Sequence, residues 1–152
     1  MLRTVHPSPP ELITVDGQTY NLKTAINPYR GNAEGASLEK FLKNAQAGGS
    51  VYFDQGSCFF CHGVNLDGRG IWAHVFQTYT SNFIDPGTIA QLRESYVFWR
   101  VAKGGPAVPK DSLPWVSPMP PGEEHLTTDE IWKVILYLYW RTGYSPSPFG
   151  IR

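Results

Sequence analysis

Apolar residues recur at helical spacing in separate segments of this 152-residue chain. The first predicted helix runs from about Ser37 to Phe53, although Gly48-Gly49 weakens the pattern in its middle. Its apolar positions are Leu38, Phe41, Leu42 and Ala45. A second helix is predicted from about Glu94 to Lys103, and the glycines that follow it suit a C-terminal cap.

The last predicted helix begins at Thr127 and runs to about Arg141. Thr127 and Glu130 have the spacing of a capping box, in which each side chain accepts a hydrogen bond from the other residue's backbone N–H. The apolar residues of this segment fall on one face: Ile131, Val134, Ile135, Leu138 and Tyr139. This pattern is typical of a helix that packs against a core.

The segments between the helices are rich in glycine, proline and polar residues. The segment before the first helix, residues 1–34, is called the leader. It contains a short apolar stretch, residues 11–15, followed by the turn-like Asp16-Gly17, and this pattern allows one hairpin. Two interpretations of the leader remain open: an extension that packs on the core or on a partner, and a loosely ordered terminus. The loop at 63–88 has the length of one that covers a ligand.

Charge and hydropathy exclude some classes of partner. Thirteen Lys and Arg balance thirteen Asp and Glu, so there is no strong field to bind nucleic acid or anionic lipid. No segment approaches the roughly 20 apolar residues of a membrane span. The first ten residues lack the apolar stretch of a secretory signal, so we expect that any export signal has been removed or lies upstream.

The only two cysteines lie in the segment Cys58-Phe59-Phe60-Cys61-His62. Two thiols three residues apart on a helical turn can add to the two vinyl groups along one edge of a haem. The next residue, His62, then supplies an imidazole nitrogen to the iron as the proximal ligand. This segment predicts one haem c, attached covalently through Cys58 and Cys61.

Three other interpretations of the cysteine pair are weaker. A thioredoxin-like redox site needs a preceding strand, whereas helical and loop patterns flank this pair. A zinc site would need further ligands from His6, His74 or His125, which have no paired spacing. A disulfide across two intervening residues would be strained.

A low-spin electron carrier needs a second axial ligand, for which Met119 is the preferred candidate. It lies in Ser117-Pro118-Met119-Pro120-Pro121, where the prolines stiffen the backbone around the thioether. A sulfur ligand favours ferrous iron and raises the reduction potential. His74 is the alternative ligand, and a lone methionine can also simply fill a core.

From Ser37 to Tyr144 the chain resembles a class I c-type cytochrome. The motifs occur in the order of that family: Val51-Tyr52-Phe53, Cys58 to Gly63, Gly68-Arg69-Gly70, Phe98-Trp99-Arg100 with Gly104-Gly105, Met119-Pro120-Pro121 and Leu126 to Trp132. The resemblance implies an all-α fold whose N- and C-terminal helices cross around one covalently bound haem. It implies His62 and Met119 on opposite haem faces, and a helix contact between Phe53 and Tyr137 or Trp132.

With this resemblance the chain divides into an irregular N-terminal extension at 1–35, a cytochrome c domain at 36–145 and a C-terminal tail at 146–152. The expected function is one-electron transfer between redox partners in the periplasm, by a carrier that is not itself an enzyme. An apolar loop at 108–116 is a candidate docking surface. The alternatives are a haem-bearing subunit of a larger respiratory or dissimilatory complex, such as a nitrite-oxidising one, and a five-coordinate haem enzyme or gas sensor.

Overall fold

The computed structural model describes residues 6–31, 36–75, 80–107 and 117–147. The elements in this part of the chain are strands β1 (Leu12–Val15) and β2 (Gln18–Asn21), helices α1 (Ala36–Phe53), α2 (Phe59–His62), α3 (Glu94–Lys103) and α4 (Thr128–Thr142), and short 3-10 turns at Ile89–Gln91, Gly105–Ala107 and Gly122–Glu124. The loop expected to serve as a docking surface, residues 108–116, lies outside the described residues. None of the described helices has the length and apolar character needed to cross a membrane.

Helices α1 and α4 cross at the glycine pair in the middle of α1. A side chain at Gly48 would overlap the backbone carbonyl of Lys133 in α4, and a Cβ at Gly49 would touch the ring of Tyr137 at 3.0 Å. The glycines that weaken the helical pattern in the sequence are therefore what lets the two backbones meet. The predicted crossing of the first and last long helices is confirmed.

The helix ends carry the signals that the sequence predicted. The capping box at α4 is complete: Glu130 N–H donates to Thr127 Oγ1 at 3.2 Å, and Thr127 N–H donates to Glu130 Oε1 at 2.9 Å. Helix α3 has the predicted bounds, and its cap residue Gly104 donates its N–H to Arg100 O at 3.0 Å. Helix α1 begins at Ala36, one residue before the predicted start.

Aromatic rings join α4 to the other helices. Tyr137 contacts Tyr52 of α1 at a centroid separation of 5.4 Å and the half-exposed Phe53 at 6.4 Å. Trp132 stacks on Phe98 of α3, with centroids 4.1 Å apart and planes inclined by 15°. The expected contact between Phe53 and Tyr137 is thus present, while Trp132 joins α4 to α3.

The N-terminal extension forms a hairpin that packs on α3 and α4. β1 and β2 pair antiparallel, with Ile13 opposite Tyr20, and the side chains of Ile13 and Val15 are buried. The ring of Tyr20 contacts Phe98 at 5.0 Å. Of the two interpretations left open by the sequence, packing against the core is the one observed for residues 6–31.

A buried polar network attaches the end of this extension to both helices. Arg30 donates to both carboxylate oxygens of Glu94 in α3, at 2.8 and 2.7 Å. Asn27 donates to Glu94 Oε1 at 3.2 Å and to the backbone carbonyl of Trp132 in α4 at 2.9 Å. Because the polar groups of Glu94 and Asn27 are paired, they can be buried without a large desolvation cost.

Candidate functional site

The two cysteines and the histidine lie on one short helical turn. Cys58 is the N-cap residue of α2, and its carbonyl accepts hydrogen bonds from Cys61 N at 3.3 Å and His62 N at 2.9 Å. Residues three apart in a helix share a face, so the two thiols project to the same side. The N–H of Cys58 donates to Tyr52 O at 3.0 Å, which positions this turn at the end of α1.

The loop after His62 supplies the hydrogen bonds that a four-residue helix cannot make for itself. All the carbonyls of such a helix lack intrahelical partners. In this structure each carbonyl of α2 accepts a backbone N–H from the following loop: Gly63 to Phe59, Trp72 to Phe60, Gly70 to Cys61 and Gly68 to His62, all at 2.9 Å. A side chain at Gly70 would overlap the carbonyl of Phe60. Gly70 thus allows the loop to approach the attachment turn, residues 58–62, closely.

Burial keeps both thiols protonated at neutral pH. Desolvation raises the pKa of Cys58 to about 12, and it also raises the pKa of Cys61. A redox-active cysteine requires the opposite shift, toward the thiolate. The described residues contain no group of three side chains suited to hold a metal ion, and the two sulfurs are not joined to each other.

His62 is held in the tautomer that a proximal ligand requires. Its Nδ1 lies 3.1 Å from the backbone carbonyl of Ser81. A carbonyl can only accept, so Nδ1 carries the proton and Nε2 has the free lone pair. Desolvation lowers the pKa of His62, which favours the neutral, ligating form. The ring of Phe83 stacks on the imidazole, with centroids 4.5 Å apart and planes inclined by 21°.

Met119 lies at the C-terminal end of α3. Its carbonyl accepts the N–H of Gly105 at 2.8 Å, and the side chain is half-buried. Side chains at Gly104 or Gly105 would clash with the backbone around Met119, so the glycine pair lets the proline-rich segment approach the helix. Ligation of iron by Met119 stays a prediction.

Two of the other candidate histidines are exposed, and the third contacts a backbone carbonyl. His74 and His125 are exposed, and His125 ends the 3-10 turn before α4. His6 Nε2 lies 3.0 Å from the carbonyl of Gly87 and is therefore engaged with the backbone.

Arg100 is a further residue that fits a haem. Its Nη1 atom is buried, and among the described residues nothing accepts a hydrogen bond from it. Desolvation lowers the pKa of this guanidinium, but an arginine remains charged inside a protein. A buried cation without an acceptor is matched by a carboxylate, and haem c carries two propionates. The donor set on α2 and this arginine therefore fit the predicted cofactor.

Sequence reasoning did not identify Ser81, Phe83 or Arg100 as site residues. Ser81 and Phe83 act from a loop 19 and 21 residues after His62, where no periodic pattern marks them. Arg100 occurs in the Phe98-Trp99-Arg100 motif, which the sequence analysis used to predict a helix and to identify the family but not to assign a role to the arginine. Arg100 follows Tyr96 and Val97 at helical spacing, and a charged residue beside these two was the available signal.

Comparison with known proteins identifies the family. The family model described as Cytochrome c matches residues 45–141, about two thirds of the chain. A chain of the reducing HAO-like protein complex Kustc0457/Kustc0458 from Kuenenia stuttgartiensis has a similar fold, with a TM-score of 0.53 and 23% sequence identity. The match covers 65% of the present chain and 44% of that chain. No curated protein matches.

The family match, the mostly helical architecture and the attachment turn agree with one another. The spacing of Cys58 and Cys61 is that of covalent haem c attachment, and His62 follows them directly. The chain belongs to the cytochrome c family.

Proposed function

We propose that this protein is a one-electron carrier in which His62 and Met119 are the axial ligands of a single haem c. The observation that carries the proposal is the geometry of His62, whose Nδ1–H donates to Ser81 O, so that Nε2 carries the lone pair. Such a hydrogen bond orients a metal-bound imidazole and increases its basicity. When bound, haem c supplies a metal that alternates between Fe(II) and Fe(III).

The protein's own contribution is attachment and rigidity. Cys58 and Cys61 would hold the haem, each by adding its S–H across one vinyl double bond, so that sulfur and hydrogen go to the two vinyl carbons and no oxidant is needed. The four hydrogen bonds from the loop to α2 then hold His62 in one position. A ligand that moves little when the iron changes oxidation state keeps the reorganisation energy small, and a small reorganisation energy favours fast electron transfer.

The surface beside the attachment turn suits a brief contact with a redox partner. Trp72 is half-exposed and stacks on Phe60 at 4.8 Å, and the neighbouring Ile71 and Val75 are largely exposed. Because positive and negative charges balance, docking depends on apolar contact more than on long-range steering. Interfaces for electron transfer are usually small.

A second candidate is a fixed subunit of a larger oxidoreductase complex. The similar fold in a chain of the HAO-like complex supports it, because that chain belongs to an assembly. In the present protein the hairpin is already packed on α3 and α4, so a partner would meet its outer face, where Leu12 is exposed. In either case we propose an exported, periplasmic protein, since haem c attachment of this kind occurs outside the cytoplasm.

Optical spectra of the purified haem protein test the carrier. We expect sharp α and β bands when it is reduced, and a weak near-infrared band from sulfur-to-iron charge transfer when it is oxidised. Met119→Ala should abolish the near-infrared band and lower the reduction potential. His74→Ala serves as the matched control and should leave both unchanged.

A high-spin spectrum, or the absence of the near-infrared band in the wild type, would contradict ligation by Met119. A high-spin spectrum would favour a five-coordinate haem that binds a gas or a substrate, whereas a low-spin spectrum without the band would favour a histidine such as His74 as the second ligand. Elution of the native protein with other chains after mild extraction would support the subunit over the free carrier. Recovery of the haem protein with the cytoplasmic fraction would contradict the proposed location.

A further inference from the structure

We infer that Phe83 is a positioning residue that fixes the orientation of the His62 imidazole plane. The inference rests on the proposed ligation of iron by His62 and extends it to a residue that does not touch the metal. Its basis is the near-parallel stacking of the two rings, at 4.5 Å and 21°, together with the hydrogen bond from Nδ1 to Ser81.

One hydrogen bond does not fix the plane of an imidazole. The χ2 torsion of histidine is broad, so the ring can rock about a single contact at Nδ1. Contact along the whole face of a second ring restricts that rocking. Ser81 therefore fixes one edge of the His62 ring, and Phe83 fixes its face.

Both contacts come from the same short segment, which is anchored on two sides. Phe83 N–H donates to the carbonyl of the buried Leu66 at 2.8 Å. Thr88 Oγ1 donates to the carbonyl of Asn82 at 2.8 Å. At the other end, the hydroxyl of Tyr144 donates to Ile84 O at 2.7 Å. These bonds hold residues 81–84 in place, so the ring of Phe83 is a fixed surface for His62.

The orientation of an axial imidazole has a direct spectroscopic signature. In ferric haem it determines the anisotropy of the g-values and how widely the haem methyl resonances are spread in the NMR spectrum. A change in the plane of the His62 imidazole is therefore the expected consequence of removing the ring.

The test uses the oxidised haem protein with Phe83→Ala, Phe83→Leu and Phe83→Tyr. We expect both smaller side chains to change the g-values and the methyl spread. Phe83→Tyr keeps the aromatic face and should restore the wild-type spectra. Ile84→Ala, which alters the neighbouring half-exposed side chain, is the control and should leave the spectra unchanged.

The possible failures are distinguishable. A wild-type protein without a low-spin, histidine-ligated signal overturns the proposed function and this inference with it. A low-spin wild type whose g-values and methyl spread are unchanged in Phe83→Leu overturns the role of Phe83 alone. If Phe83→Ala does not fold, Phe83→Leu still decides, because it retains most of the apolar volume.

Discussion

Replacement of Gly48 by alanine tests the crossing of α1 and α4. The new Cβ would overlap the carbonyl of Lys133, and it would also lie 2.9 Å from the backbone nitrogen of Val134. Both obstacles are backbone atoms within a helix, so neither can rotate away as a side chain would. The two helices must separate by on the order of 1 Å to restore normal contact distances.

The expected cost follows from two opposing effects. Alanine gains about 1 kcal/mol over glycine in helix propensity. Overpacking in a core costs about 1–3 kcal/mol, and occasionally more. In this protein, moving α1 away from α4 would also weaken the contact between the rings of Tyr52 and Tyr137. Because the overlap is with backbone atoms that cannot move aside, the upper end of this cost applies, and after the gain in propensity is subtracted the free energy of unfolding should fall by about 2 kcal/mol. This corresponds to about 4–8 °C in Tm for a chain of this size.

Urea unfolding of the haem protein, followed by far-ultraviolet circular dichroism, measures this cost. The midpoint should fall with an unchanged slope, because a changed slope would signal a different unfolded or native state. Ser50→Ala, an exposed position two residues further along α1, is the control and should change the stability little. A Gly48→Ala protein as stable as the wild type would refute the claim that close backbone contact requires glycine at the crossing.

Three further predictions concern stability. Glu94→Gln leaves Arg30 without its carboxylate partner and should cost about 2 kcal/mol in thermal unfolding, whereas Glu39→Gln, at an exposed position of α1, should cost almost nothing. Thr127→Ala removes the cap of α4 and should cost about 1 kcal/mol, and no change in the urea midpoint would contradict the capping role. Burial raises the pKa of Tyr96 from 10.0 to about 12, so its contribution to stability is present below about pH 10 and is lost as the pH rises toward 12. Urea midpoints measured across this range should fall less steeply in Tyr96→Phe, and equal slopes would show that Tyr96 does not contribute.

The features that the sequence predicted best are those that depend on residues close together in the chain. The bounds of α3, the capping box of α4 and the attachment turn each depend on residues within a few positions of one another. Capping residues, apolar spacing and the Cys-x-x-Cys-His motif are read directly from such neighbours. The sequence alone is therefore enough to predict Cys58, Cys61 and His62 as the haem attachment residues.

Contacts between distant parts of the chain could not be predicted in this way. Nothing in the sequence near Asn27 and Arg30 indicates that their partner is Glu94, more than 60 residues later. The partner of His62 is a backbone carbonyl, and every residue has one, so Ser81 carries no signature of its own. The packing of the hairpin was similarly left open, because two short strands are marginal until they find a surface to cover.

The polar contacts of the hairpin also bear on the order in which the chain folds. Asp16 accepts hydrogen bonds from the N–H and hydroxyl of Thr128, 112 residues later, and Asn27 binds a carbonyl 105 residues away. Because synthesis proceeds from the N-terminus, the residues of the hairpin leave the ribosome long before those of α4, the helix on which the hairpin packs. Contacts of such long range form slowly. We expect the segment with Cys58 and Cys61 to emerge while α1 still lacks its crossing partner, which leaves both thiols open to haem attachment before the last helix closes the fold.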